Sequence, residues 1–416
     1  MRKELLYNIF QMCLTIFLLL SCQSKISQSE SLMSCPVVGV KNAIDNAVDS
    51  LIVVDYNNFD FDHPIDFPLS EFCDYELVKL ENSTKEMMVG PGRFYVFGNY
   101  MTWRDPYGHR ALVFDRQGNY IRTFIDSQGP EGFEGFCSSI HVDAENEELY
   151  AILRRKTKVY NLKTGEYVKS IDHEKEMRLP LMITMQDKLL FVQAPGQMEY
   201  LKKDAIWQTD KEGNQVKSIP SSFFWNMDLV NHQYFEDFWM SSFPLIKPSG
   251  EDYFLFSLNN RYAICDTTYH YYPATNRMVP ATTMKNPYTE NGGFYTQEET
   301  PTYYTAYFTE MVSGTIQLDG YGDRITKRVM VDKKTLRGSS VHLCLDKLGM
   351  IDITAEYAQT FSGDFALNLS PDRLQQLIEE RLNKGGLDDK ERLKLRTLYD
   401  SIDPDDNNYV IVGKLK

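Results

Sequence analysis

Apolar and polar positions recur in a fixed order in three stretches of the chain. They are Phe114-Asp115-Arg116-Gln117-Gly118-Asn119-Tyr120-Ile121-Arg122-Thr123-Phe124, Leu162-Lys163-Thr164-Gly165-Glu166-Tyr167-Val168-Lys169-Ser170-Ile171 and Asp210-Lys211-Glu212-Gly213-Asn214-Gln215-Val216-Lys217-Ser218-Ile219. Each is a polar turn closed by glycine, then a β-branched residue, a base, a hydroxyl and an apolar residue. Glycine supplies the positive φ of tight hairpin turns, and Val, Ile, Tyr and Phe suit half-buried pleated strands, so each stretch predicts a β-hairpin. The glycines lie 47 and 48 residues apart, and a fourth turn, Asp346-Lys347-Leu348-Gly349, lies 136 beyond Gly213, near three further periods. A period of this length with several strands per unit predicts propeller blades, since one blade cannot cover both of its own faces and must stack in a ring. A β-sandwich with coincidental spacing is the competing architecture.

One region departs from this pattern. From Ser370 to Ile402 the spacing predicts a helical pair: Ser370 caps, Pro371 takes the first position, Leu374, Leu377, Ile378 and Leu382 share a face, and Gly385-Gly386 stops the turn. Leu393, Leu395 and Leu398 mark the second helix. The stretch from Asn408 to Lys416 then reads as a final strand, expected to return to early sequence and close the ring so that no sheet edge is left open.

The start of the chain has the order of a secretory signal over residues 1–21: Arg2 and Lys3, an apolar stretch culminating in Leu14 to Leu20, then small Ser21. Its apolar core is too short to span a bilayer. Leu19-Leu20-Ser21-Cys22 resembles a lipobox, in which the bond before the cysteine is cut and the thiol acylated. Residues 22–43 are then expected to be a lipidated N-terminus and flexible serine-rich spacer, with the propeller over 44–416. The expected partner is the lipid bilayer, through acylated Cys22. Gln23 rather than Asp after Cys22 points away from inner-membrane retention and toward the outer membrane, on either its periplasmic or its outer face.

Charge narrows the partners further. Removing Arg2, Lys3 and Glu4 with the signal takes 44 basic and 58 acidic residues to 42 and 57, a net charge of −15. Such a surface repels phosphate backbones, which argues against nucleic acid. Cys35, Cys73, Cys137, Cys265 and Cys344 remain after Cys13 and Cys22 are set aside. They are too few and too scattered for a disulfide scaffold, although one bridge stays open. No Cys-x-x-Cys or His-Glu-x-x-His occurs, and no cofactor-binding pattern or catalytic motif is found.

The residues also resemble the Bacteroidota-type six-bladed β-propeller lipoproteins, a family of uncharacterised function and NHL-like architecture. Leu69 to Phe72 leading into Val78-Lys79-Leu80-Glu81 looks like that family's opening strand, and Val113 to Gly118 like its first hairpin. Gln128-Gly129-Pro130-Glu131-Gly132-Phe133 is similar to its Gly-x-Gly-Pro-Gly-Glu-Tyr loop, with Ser127 in place of the first Gly, Glu131 and Gly132 transposed, and Phe133 in place of Tyr. Asp405-Asp406-Asn407-Asn408 is similar to its ending. The resemblance implies six blades, where repeat spacing alone also admits seven.

Candidate chemistry is sparse. Asp403 to Asn408 has the oxygen spacing that starts a calcium loop but Asn408 and Lys414 where glycine and glutamate belong, so a solvated turn is the better reading. Asp55 to His63 is oxygen-rich but also reads as a polar loop. His63, His109, His141, His173, His232, His270 and His342 are scattered, with a structural role as the default. Four aromatic clusters stand out, around Trp103 to His109, Phe223 to Asn226, Phe235 to Trp239, and Tyr303 to Tyr307. Read as loops, they make Trp103, Trp225 and Trp239 the candidate ligand-facing residues, stacking on a glycan, a peptide or an envelope protein. The leading expectation is a non-catalytic binding module. The alternative is a propeller hydrolase, lactonase or lyase with carboxylates or calcium at the central channel, and a third is a structural subunit of an outer-membrane assembly.

Overall fold

The computed structural model describes residues 30–43, 50–90, 92–105, 108–125, 132–133, 136–173, 181–185, 187–192, 204–220, 243–248, 252–259, 267–285, 294–311, 324–356 and 358–416. Its strands form six antiparallel meanders arranged as blades of a propeller. Blade I is Arg93–Phe97, Tyr100–Arg104, Arg110–Asp115 and Tyr120–Ile125; blade II is Ser139–Asp143, Glu148–Ile152, Lys156–Asn161 and Tyr167–Asp172. Blade III is Leu181–Met185, Lys188–Val192, Asp204–Asp210 and Gln215–Pro220; blade IV is Phe243–Pro248, Phe254–Asn259, Thr267–Tyr272 and Arg277–Lys285. Blade V is Phe294–Glu299, Tyr303–Met311, Arg324–Asp332 and Gly338–Leu345, each blade being named from its inner strand outward.

Blade VI joins the two ends of the described chain. Gln359–Phe361, Asp364–Leu369 and Tyr409–Leu415 supply three strands and Cys73–Lys79 the outermost. Tyr409 pairs with Lys79 and Leu415 with Cys73, so the predicted final strand is present and closes the ring. Six blades are formed, as the resemblance implied.

Stacking explains why many strands are apolar without alternation. In Glu148–Ile152, Leu149 and Ala151 pack against Ala111, Val113 and Phe124 of blade I. Tyr150 and Ile152 on the opposite face pack against Leu189 and Phe191 of blade III. A strand covered on both sides places apolar residues at successive positions, and burying each contributes about 1.5–3 kcal/mol.

The repeated turns are seams between blades. Gly118, Gly165 and Gly213 have φ of 89°, 74° and 97°. A Cβ on Gly118 would lie 2.5 Å from the Lys79 carbonyl oxygen of blade VI, and one on Gly213 would lie 2.7 Å from Ile171 Cγ2 of blade II. The base of the motif joins the same seams. Arg122 Nε donates to Lys163 O at 3.1 Å, Lys169 Nζ to Lys211 O at 2.8 Å and Lys217 Nζ to Ala274 O at 2.6 Å, each reaching the turn of the next blade.

The fourth predicted turn is different. Asp346–Leu348 is a 3-10 turn closed by Gly349, and it joins the outer strand of blade V to the short antiparallel strand Ile351–Asp352, a hairpin at the edge of the blade rather than between its third and fourth strands. The corresponding hairpins of blades IV and V place Asn276 (φ 51°) and Leu336 (φ 54°) in the left-handed region instead of glycine. Tyr303 to Tyr307, read as a loop, lies in a strand of blade V because stacked blades bury aromatics in strands.

The helical pair lies between two strands of blade VI. Helix α1 is the single turn Leu69–Phe72; α2 (Pro371–Lys384) and α3 (Asp389–Ser401) are the predicted pair. Ser370 Oγ accepts from the Arg373 N–H at 3.2 Å, the expected cap. Leu374, Leu377, Ile378 and Leu395 pack with Leu345, Ile351 and Ile353, whereas Leu393 is exposed.

Residues 30–43, expected to belong to a flexible spacer, are part of the fold. From Glu30 the chain already belongs to the fold: Leu32 and Val38 are buried, and Gly39–Ala43 pairs with Ser50–Asp55. Ser50–Asp55 runs parallel to the outer strand of blade IV, Ile65–Pro68 parallel to that of blade V, and Cys73–Lys79 completes blade VI. The early chain therefore forms a belt around half of the ring. The signal and Cys22 lie outside the described residues.

Candidate functional site

The innermost strands line the axis and run the same way, so residues from the middle and end of each come level with those of its neighbours. Blade I brings Tyr95 and Phe97 to this level, blade II His141, blade III Thr184 and blade VI Phe361. Phe361 is placed by a tight hairpin turn in which Ser362 (φ 50°) and Gly363 (φ 76°) both take positive φ. Its ring centroid lies 5.7 Å from Tyr95, 5.3 Å from Phe97 and 6.2 Å from His141. Three blades thus meet on one aromatic side chain.

His141 is buried against Phe97 and Phe361. Its Nε2 accepts the Thr184 backbone N–H at 3.2 Å and lies 2.8 Å from Thr184 Oγ1. Accepting at Nε2 leaves the proton of the neutral ring on Nδ1, which has no hydrogen-bond partner in the structure. Burial pushes its pKa down to about 3, so the ring stays neutral at physiological pH. Between blades V and VI, Glu298 accepts from Thr360 Oγ1 at 2.8 Å. Arg328 is buried there over the Tyr307 ring, with its Nε unpaired.

Trp103 is not ligand-facing. It is 2% exposed in an apolar cluster with Val89, Phe94, Leu112 and Val410. It lies in the strand Tyr100–Arg104, with Arg110 over its ring at 5.2 Å, so its indole packs blade I against blade VI. Trp225 and Trp239 lie outside the described residues, as do His232, Cys265 and Gln128 to Glu131. The end of that distinctive loop is described: Phe133 is buried, and the Gly132 carbonyl accepts from Lys158 Nζ at 2.7 Å and Tyr160 OH at 2.9 Å.

The oxygen-rich runs serve local structure. Asp55 accepts from Asn57 N–H, and Asp60 from the N–H groups of Asp62 and His63. Asn407 accepts from Val89 N–H and donates to the carbonyls of Glu81 and Met87, while Asp406 pairs with Lys79 Nζ at 2.6 Å. Among the described residues no group of three or more His, Cys, Asp or Glu is placed to hold a metal ion. Cys35, Cys73, Cys137 and Cys344 are free thiols, and burial pushes Cys137 and Cys344 up to about 12. Of the other histidines, His173 meets Thr157 Oγ1 at 3.0 Å, and His270 pairs with Glu299 at 2.7 Å. Sequence reading missed His141 and Phe361 as a site because its members come from separate blades; the Ser362-Gly363 turn is the one local signal.

A closed ring of six four-stranded blades, with an aromatic contact among its innermost strands, defines the class. The chain belongs to the 6-bladed beta-propeller family DUF5128, whose model matches residues 45–316. No curated protein matches it. Among solved structures it is similar to a predicted exported protein of Bacteroides fragilis, with a TM-score of 0.59, 14% identity, and coverage of 88% of this chain and 99% of that one. At that identity the likeness shows the fold. Hydrazine synthase of Kuenenia stuttgartiensis is a more distant match, with a TM-score of 0.33, 9% identity, and coverage of 59% and 80%. Among the described residues no helix is long and apolar enough to cross a membrane.

Proposed function

We propose that the protein is an exported lipoprotein, cleaved before Cys22 and held at the outer membrane by acyl chains on that thiol. Its propeller binds a glycan, peptide or envelope protein without turning it over. Anchoring by two or three acyl chains suits the signal and lipobox, because each buried CH₂ contributes about 0.8 kcal/mol. The Bacteroides fragilis neighbour, described as exported, supports the export step of this reading.

The observation that carries the binding reading is how the axial groups are committed. His141 is neutral and bonded to Thr184, Glu298 is held by Thr360, and Phe361 packs across blades I and II. These groups form a rigid wall rather than a poised acid and base. In this reading Trp225 and Trp239, in the connection between blades III and IV, supply aromatic ligand contacts. Metabolic labelling with a palmitate analogue tests the anchor: wild type is marked and Cys22→Ala is not. A glycan and peptide screen on the purified protein, followed by mass analysis of whatever binds, tests the rest; a cleaved or eliminated product overturns the non-catalytic reading.

A further inference from the structure

At three seams the incoming hairpin turn closes directly onto the preceding outer strand: Gly118 on Lys79, Gly165 on Arg122, and Gly213 on Ile171. The seam between blades IV and V is built differently. Its turn is Lys333-Lys334-Thr335-Leu336, with Leu336 in the left-handed position that glycine holds at those three seams. Between Arg277 and Lys285 the outer strand of blade IV has no base to reach across. A cavity of about 340 Å³ opens there, toward the lower end of the volumes typical of small-molecule sites.

Its lining combines basic and apolar residues. Lys41 of the belt, His270 of blade IV, and Lys333 and Lys334 of blade V line it. Val279 and Tyr304 belong to the apolar part of the lining. Glu299 is buried and neutralises part of this charge, pairing with His270 Nε2 at 2.7 Å and with Lys333 Nζ, while Tyr253 OH donates to it at 3.2 Å. Tyr253 also stacks on the His270 ring at 3.9 Å. Among the described residues, Lys41 and Lys334 have no carboxylate partner. Three lysines against one carboxylate leave the cavity positive in a protein whose net charge is −14. Cations beside apolar groups favour an anion over a neutral or cationic molecule of the same size.

We infer that the seam between blades IV and V is a binding site for a small organic anion, a phosphate, sulfate or carboxylate group on an uncharged body of about sugar size. Lys41 and Lys334 meet the charged group directly, and Glu299 holds His270 and Lys333 in place beside it. This site is separate from whatever the propeller binds elsewhere, and it stands whether or not Cys22 is acylated.

Calorimetric titration of the full-length chain in detergent with glucose 6-phosphate, glucose 6-sulfate, glucuronate and glucose tests it. The expected result is binding of at least one anion with a Kd of about 1 mM or below, weakening with added salt, and none of glucose. Replacing both Lys41→Gln and Lys334→Gln weakens that binding about tenfold or more, while the melting temperature stays unchanged because neither lysine is in an ion pair. Failure of all three anions to bind, equal binding of glucose, or undiminished binding by the double variant overturns the assignment.

Discussion

Arg116 of blade I donates to Asp364 of blade VI at 3.0 Å, bridging residues 248 apart in sequence. Asp364 is buried and also takes Lys414 Nζ at 3.2 Å, so one carboxylate ties the first blade to the strand that closes the ring. Asp364→Ala removes the shared acceptor and leaves the partly buried Arg116 without it. We expect a loss of about 3 kcal/mol, measured by urea unfolding; a change within about 0.5 kcal/mol contradicts the assigned role.

Gly118→Ala combines an unfavourable φ with a Cβ only 2.5 Å from the Lys79 carbonyl. Gly386→Ala shares the positive φ, at 75°, but its Cβ meets open space. The first is expected to cost about 2 kcal/mol or more and the second about 1 kcal/mol. Equal melting temperatures for the two variants show that backbone conformation alone, and not the seam, demands glycine at 118.

Stability is expected to fall with acid because of His141. Burial holds its folded pKa at about 3, below the value of 6.5 that the unfolded chain approaches. Between those values the unfolded state takes up a proton that the folded state refuses, so stability decreases as pH falls through that window. By pH 5 the loss is about 2 kcal/mol. His173, lowered to about 4 chiefly by burial, acts in the same direction. His141→Gln should flatten the dependence of unfolding free energy on pH between 7 and 5, and an unaltered slope contradicts this.

Trp103→Ala should cost about 3–5 kcal/mol through the cavity it leaves. Trp103→Phe should cost far less than that, since the indole Nε1 it removes is buried without a partner. If both variants keep wild-type stability, the side chain does not serve packing.

Hairpins were legible because their chemistry is local. Gly118, Gly165 and Gly213 each announce a turn, and Ser370-Pro371 announces a helix start. The final strand could be inferred because an edge must be covered, and Tyr409–Leu415 covers it. Gly349 also closes a hairpin, but one that adds a short strand to the edge of blade V, so its spacing from Gly213 is not that of the blade repeat. Trp103 misled because a large ring beside Arg104 and Asp105 suggests a loop, whereas stacked blades bury such rings in strands. The belt left no trace in local pattern, since Ile65–Pro68 and Ser50–Asp55 pair with strands more than 200 residues away. His141, Phe361 and the lysines of the blade IV–V seam are neighbours for the same reason: ring geometry brings them together.

Closing the ring with both ends of the chain also sets an order of events. Cys73–Lys79 leaves the ribosome early, but its partner Tyr409–Leu415 follows some 330 residues later. At synthesis rates of about 5–20 residues per second, that interval is on the order of 20–60 s. Throughout it the early strand has no third strand of blade VI to pair with, and blade I has no finished neighbour on that side. The strand Tyr409–Leu415 therefore acts as a timer: the ring cannot lock until it has been made, and a chain released short of it keeps a sheet edge open to pairing with other chains.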